Sequence, residues 1–322
     1  MFPSESELTI CFAHVAYQLQ QRFVLRKLPI KSFGVTSREE LEARVGEADV
    51  LVISGLWRNE FAERARKLHF IQSIGAGTDQ FDRAVLDGRG IRLASAQGVN
   101  VNAVSEHAMS LILAMARRLP EARDNQAKHT WRGMISDLTQ REDELGGKTL
   151  IIIGLGGIGG RLARLAKAFG MRVIGFKRNV ATGSDGADSV HTLRELKALL
   201  PQADFVALTC PLTKETENVI DAEVLSRMKP SAYLVNAARG RCVEENALIA
   251  AMRAGKIAGA AIDVTVDEPL PASSPLWDMP NVFITPHTAG ETRRYEDNVL
   301  DVLMDNLQRL WRGEATLRNQ IL

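Results

Sequence analysis

Short β-rich runs of apolar residues return along almost the whole chain, separated by segments in which apolar residues recur at helical spacing. Alternation of this kind predicts an α/β protein whose layers are built around parallel sheets. A first set of strands is expected at 8–13, 50–53, 70–73 and 91–93, with helices at 37–45 and 59–67 between them. A second set begins at Leu150 and continues at 172–176, 205–208, 232–236, 260–263 and 282–285. Between the sets the pattern predicts a helix over 104–118, then a polar stretch over 121–147 that contains Trp131. A last amphipathic helix is expected at 297–311, and the polar segment 179–189 reads as a solvated turn. Two Rossmann-like halves result, the second running from about residue 101 to about 287. At 322 residues the chain fits two domains.

Only the second half carries a glycine turn. The run GLGGIG, with Gly154, Gly156 and Gly159 at its fixed spacing and Gly157 and Ile158 inside it, lies between an apolar strand and a helical segment. The first glycine permits a tight turn, the second lets phosphates approach bare backbone, and the third lets the helix pack near the strand. Free N–H groups at the helix start then meet the negative charge of a dinucleotide. The half without this turn is the expected home of the substrate.

In an open parallel sheet, ligands bind beyond the carboxyl ends of the strands. The segments that follow the strands of the second half therefore nominate a site. They are Gly154–Gly159, Lys177-Arg178, Cys210-Pro211, the run from Asn236 through Ala237, Ala238 and Arg239 to Gly240, Asp263 with Glu268 beyond it, and Pro286-His287. One arginine, two carboxylates and one histidine thus converge on the edge that carries the glycine turn. Guanidinium is permanently charged and forked, which suits a carboxylate or 2-oxo acid. Imidazole gives and takes a proton near neutrality, and a carboxylate beside it favours imidazolium.

Composition narrows the alternatives. A net charge of +1 gives no reason to expect nucleic acid or an anionic membrane as partner. No apolar stretch is long enough to span a bilayer, and the N-terminus lacks the pattern of a signal peptide. Three widely spaced cysteines (Cys11, Cys210, Cys242) read as reduced thiols of a cytoplasmic protein. No His, Cys or Asp cluster has metal-ligand spacing, so no metal is expected. Cys210 has no base nearby and reads as a small apolar filler. His107 reads as a packing or hinge residue. Leu56-Trp57 are either pocket lining or core.

The runs SIGAGTD (73–79), GLGGIG, NAARG (236–240), DVTVDEPL (263–270) and TPHTAG (285–290) resemble the D-isomer-specific 2-hydroxyacid dehydrogenases, in the family's order and over almost the whole chain. The resemblance implies a homodimer of two-domain subunits that moves a hydride between a nicotinamide and a small 2-oxo or 2-hydroxy acid. It implies a discontinuous, flavodoxin-like substrate domain (1–100 and 288–322) into which a Rossmann domain (101–287) is inserted, with 104–147 as dimerisation helix and arm. Carried over residue by residue, Arg239 grips the substrate carboxylate and polarises its carbonyl. His287 is general acid in reduction and base in oxidation, and Glu268 orients it. Backbone N–H groups of Ile74, Gly75, Ala76 and Gly77 hold the carboxylate. Expected coenzyme contacts include Val104, Ala237, Ala238 and Gly290 besides the strand-end residues named above. Trp131 is a candidate to close the partner subunit's pocket.

The chain departs from the NAD-type pattern at Lys177-Arg178. NAD enzymes usually place an acid there for the adenosine ribose, whereas basic residues accommodate the 2′-phosphate of NADP. The expectation is therefore NADP(H), with NAD as the alternative, and reduction of glyoxylate or hydroxypyruvate. Two further alternatives are an NAD-dependent dehydrogenase of another 2-hydroxy acid and a dinucleotide-sensing corepressor or scaffold without turnover.

Overall fold

The computed structural model describes residues 2–322, which divide into two compact units, residues 2–100 with 292–322 and residues 101–291. The first unit holds five parallel strands: β1 (Thr9–Ala13), β2 (Lys31–Val35), β3 (Val50–Ile53), β4 (Phe70–Ser73) and β5 (Arg92–Ala94). Their spatial order is β2-β1-β3-β4-β5, the flavodoxin-like arrangement. The long helix Tyr295–Trp311 buries Val299, Leu300, Leu303 and Leu307 against Ile10, Val50, Val52 and Phe70. Its buried Asn306 donates to Gln72 Oε1 (2.9 Å) on β4 and accepts the Arg318 N–H (2.7 Å), so this polar side chain is satisfied inside the core. The chain's last residues close the β5 edge through Leu93 N–H to Leu322 O (3.1 Å) and Ile321 N–H to Leu93 O (2.8 Å). That pairing covers backbone groups an edge strand otherwise leaves open.

The second unit holds seven parallel strands: β6 (Thr149–Ile153), β7 (Arg172–Phe176), β8 (Ser189–His191), β9 (Phe205–Leu208), β10 (Tyr233–Asn236), β11 (Gly259–Ile262) and β12 (Val282–Ile284). The order is β12-β11-β10-β9-β6-β7-β8. This is the doubly wound arrangement, with its switch point between β6 and β9. Both faces are covered by apolar cores, which is why β6, β9 and β11 read as unbroken apolar runs.

Two strands depart from the expectation. Both β2 (KSFGV) and β8 (SVH) are edge strands with exposed or half-buried positions, so neither shows the apolar run of an interior strand. The start of β8 lies in the segment expected to be only a solvated turn. The helices Leu19–Val24 and Arg83–Asp87 were likewise not anticipated, and the helix expected at 59–67 is only Phe61–Arg64. The helix expected at 104–118 is Val101–Ala116, and Arg118 (φ 49°) breaks the chain before a second helix, Leu119–Ala127. No residue of that second helix is buried, which explains why it looked like polar loop. Leu56 and Trp57 are core residues of the first unit, packed with Phe61 and Phe81.

Candidate active site

The glycine turn lies where β6 hands over to the helix Gly157–Ala168. Gly154 has φ +103°, and a Cβ there would stand 2.4 Å from the Cys210 nitrogen. A Cβ on Gly159 would stand 2.3 Å from the Gly154 oxygen, so helix and strand could not close up. Gly156 caps the helix with open space on its Cβ side, and the first-turn N–H groups have no carbonyl partner inside the helix. The cradle therefore fits a pyrophosphate.

A cleft of about 640 Å³ opens beside it, lined by Gly154, Leu155 and Gly156 from β6, Lys177 and Arg178 from β7, and Thr209, Cys210 and Pro211 from β9. It sits at the carboxyl ends of the strands flanking the switch point. Thr192, Leu193, Arg194 and Glu215 complete the lining. The two basic residues expected to meet a 2′-phosphate are not equivalent. Lys177 Nζ is ion-paired with Asp185 (2.9 Å) and only 10% exposed, so its charge is already engaged. Arg178 is 80% exposed and pairs loosely with Glu215 (3.3 Å), a solvated contact of little energetic weight. A hydrogen bond from Thr213 and then the Arg178 charge hold the Glu215 carboxyl below the usual range. Arg194, which lines the same cleft, was not anticipated. It follows β8, and missing that edge strand concealed the strand-end position that would have nominated it.

Cys210 is buried with its sulfur 4.0 Å from Cys242 Sγ. The neighbouring thiol and burial push the Cys210 thiol up, in keeping with a small buried filler. Val104 is buried on the helix Val101–Ala116, while Gly157, exposed on the turn, has its Cβ side 3.2 Å from Val101.

Beyond β10, Asn236 shapes the next turn. Its Nδ2 donates to the Arg239 carbonyl (3.1 Å) and its Oδ1 accepts the Ala238 N–H (3.0 Å). Ala237 N–H is bonded to Leu208 O (3.2 Å), and Arg239 beyond it is exposed at the strand end. A Cβ on Gly240 would lie 2.0 Å from the Thr265 carbonyl carbon. Only glycine allows the Arg239 turn to lie against the loop that leads to Glu268.

That loop brings Glu268 to His287. Glu268 Oε1 accepts the Thr265 N–H (3.2 Å), and Oε2 lies 2.6 Å from His287 Nδ1. With Nδ1 held by the carboxylate, Nε2 is the ring nitrogen left to exchange a proton. His287 adopts a left-handed backbone (φ 54°), a conformation that costs roughly 1 kcal/mol or more in a residue other than glycine and needs surrounding structure to hold it. Asp263 supplies part of that structure. Its Oδ1 accepts the Thr285 hydroxyl and the Thr288 N–H and its Oδ2 accepts the Ala289 N–H, so the chain itself anchors the carboxylate and only Oδ2 keeps acceptor capacity for the coenzyme contact expected of this residue.

Burial raises the Asp263 pKa, but hydrogen bonds from His107, Thr285, Ala289 and Thr288 outweigh it and hold the carboxyl below the usual range. A depressed folded-state value means stability that is present above the unfolded pKa, about 3.9, and lost as pH falls through the folded value. Asp263→Asn is expected to flatten that acid limb of the urea midpoint against pH. A limb of unchanged steepness would assign it to other carboxylates.

In the first unit, the Ile74 N–H is bonded to Ile53 O (3.1 Å) and the Gly75 N–H to Ser73 Oγ (3.3 Å). Neither is free to hold a carboxylate as expected, whereas those of Ala76 and Gly77 have no partner among the described residues. Tyr295 fixes the loop by donating its hydroxyl to Ile74 O (2.6 Å).

No group of three or more His, Cys, Asp or Glu among the described residues is arranged to hold a metal ion, and no helix of the described residues is long and apolar enough to cross a membrane. The family model for the D-isomer specific 2-hydroxyacid dehydrogenase NAD binding domain matches residues 109–289. The chain is 35% identical over 284 residues to the D-3-phosphoglycerate dehydrogenase of Methanocaldococcus jannaschii, covering 87% of this chain and 53% of that protein, so it spans about half that relative's length. It is 34% identical over 306 residues to the glyoxylate/hydroxypyruvate reductase B of Yersinia enterocolitica, covering 94% and 93%. A D-isomer specific 2-hydroxyacid dehydrogenase family protein from Aeromonas salmonicida superposes with a TM-score of 0.84 at 30% identity, over 98% of this chain and 99% of that one. A glycine cradle, a charged coenzyme cleft and a carboxylate-held histidine on one sheet edge agree with these matches: the chain belongs to the D-isomer specific 2-hydroxyacid dehydrogenases.

Proposed function

We propose that this chain is an NADP(H)-dependent reductase of small 2-oxo acids, with glyoxylate and hydroxypyruvate as first substrates. The observation that carries the reading is the 2.6 Å contact between His287 Nδ1 and Glu268, which fixes a proton-exchanging imidazole on the coenzyme-binding sheet. The nicotinamide supplies the hydride. Arg239 binds the substrate carboxylate and polarises the carbonyl, and His287 Nε2 delivers the proton to the carbonyl oxygen. Glu268 keeps the ring oriented and favours imidazolium before the transfer. In the reverse direction the same nitrogen takes the hydroxyl proton.

The 2′-phosphate of NADP would lie at the Arg178 and Arg194 side of the cleft, and the exposure of both guanidinium groups favours NADPH over NADH. The N–H groups of Ala76 and Gly77 are further candidates to bind an anionic substrate. The arm after Ala116 leaves Trp131 (98%) and Met134 (102%) exposed, together with Leu138, which fits a second copy of the chain covering it. The three free thiols fit the cytoplasm.

Initial rates with glyoxylate, hydroxypyruvate, pyruvate and phosphohydroxypyruvate, each with NADPH and with NADH, test this reading. The expected result is the highest kcat/KM for glyoxylate or hydroxypyruvate with NADPH. A clear preference for phosphohydroxypyruvate with NADH would transfer the chain to the activity named for its phosphoglycerate dehydrogenase relatives.

A further inference from the structure

Four donors converge on the buried Asp263 carboxylate. The Thr285 hydroxyl donates to Oδ1 at 2.6 Å and the Thr288 N–H to the same oxygen at 3.0 Å, while the Ala289 N–H reaches Oδ2 at 3.1 Å. The fourth is His107, whose Nε2 lies 3.0 Å from Thr285 Oγ1 and 3.4 Å from Asp263 Oδ1. The main chain of Asp263 completes the cage, since its carbonyl accepts the His287 N–H at 2.7 Å. Residues 285–289 are thus fastened to one side chain on both flanks of His287.

The protonation of His107 follows from this arrangement. A hydroxyl has one proton, and the Thr285 proton goes to the ionised carboxylate, which can only accept. The Thr285 oxygen therefore accepts from His107, and Nε2 must carry a hydrogen. His107 lies on the helix Val101–Ala116, an element separate from both loops. Its N–H fixes the rotamer of Thr285 and adds positive potential beside Asp263. A left-handed His287 backbone persists only where its surroundings over-determine it, and this network supplies that constraint.

We propose that His107 is a positioning residue for the proton donor: through Thr285 and Asp263 it locks the turn that presents the His287 ring to Glu268. The inference rests on the reading of His287 as proton donor. A packing role alone would require volume at residue 107 but no donor.

Two substitutions separate the alternatives. His107→Leu keeps bulk and removes the N–H, whereas His107→Gln returns an amide donor near the position of Nε2. Displacement of a reacting group by about 1 Å costs on the order of 100-fold. Turnover of His107→Leu is therefore expected to fall roughly 10- to 100-fold with KM for NADPH little changed, and His107→Gln to recover most of the loss. Because the residue acts through His287, adding His107→Leu to His287→Ala is expected to cost nothing further. Thr285→Val, which cuts the relay with a smaller change, is expected to reproduce the loss should the leucine variant not fold. Near-native turnover in His107→Leu or Thr285→Val, or an undiminished loss in the His287→Ala background, would overturn the proposal. Native-like turnover of His287→Ala itself would instead sink the proton-donor reading.

Discussion

Replacing His287 with alanine is expected to lower turnover of 2-oxo acids by about 10²–10⁴-fold, the usual contribution of a positioned general acid. The loss should fall on kcat and kcat/KM alike, because the imidazole acts on charge that develops as the carbonyl is reduced. Binding of NADPH should change little. The coenzyme cleft is built from the ends of β6, β7 and β9 with Arg194 beyond β8, and none of its lining comes from the loop after β12. Glu268→Gln removes the charge but keeps a hydrogen-bonding group against Nδ1, and is expected to give a smaller loss than His287→Ala. Turnover of His287→Ala within a few fold of native would mean that water or another group supplies the proton.

The second large effect concerns coenzyme choice. Arg178→Ala combined with Arg194→Ala is expected to raise KM for NADPH about 100-fold and KM for NADH hardly at all. A charge-assisted hydrogen bond contributes about 1.5–3 kcal/mol, and tenfold affinity is about 1.4 kcal/mol. Both side chains are exposed, so the lower end applies to each, roughly tenfold per arginine. Glu215 competes for Arg178, but a 2′-phosphate carries up to about two negative charges against one and offers more acceptor oxygens. Lys177→Ala is expected to matter less, since its ammonium faces Asp185. Steady-state kinetics with both coenzymes decide the matter, and equal changes for NADPH and NADH would remove the phosphate-site argument.

The sequence showed the interior strands and the edge strands β5 and β12, but not the edge strands β2 and β8. A strand buried on both faces is largely apolar, so β3 (VLVI) and β9 (FVAL) announce themselves along their whole length, and β4 (FIQS) and β7 (RVIGF) through their apolar residues despite Gln72, Ser73 and Arg172. An edge strand is partly wet, and KSFGV and SVH look like loop. That blind spot reached the site, because Arg194 follows β8. The glycine turn and the strand-end residues were legible because the rule that ligands lie at carboxyl ends needs only strand order. Side-chain engagement was not. Lys177 meets Asp185 eight positions on with no periodic pattern to signal the pair, and His107 meets Thr285 from 178 positions away in the chain. The N–H of Ile74 looked available until its bond to Ile53 placed it in the sheet ladder.

Rapid mixing of the protein with one equivalent of NADPH and an excess of glyoxylate tests the central claim most directly. Stoichiometric oxidation of the bound coenzyme in a single exponential, slowed by about 10²–10⁴-fold in His287→Ala with NADPH still bound, is the expected result. Coenzyme that binds tightly yet stays reduced in the presence of every 2-oxo acid would contradict the reductase and leave a dinucleotide-binding scaffold in its place.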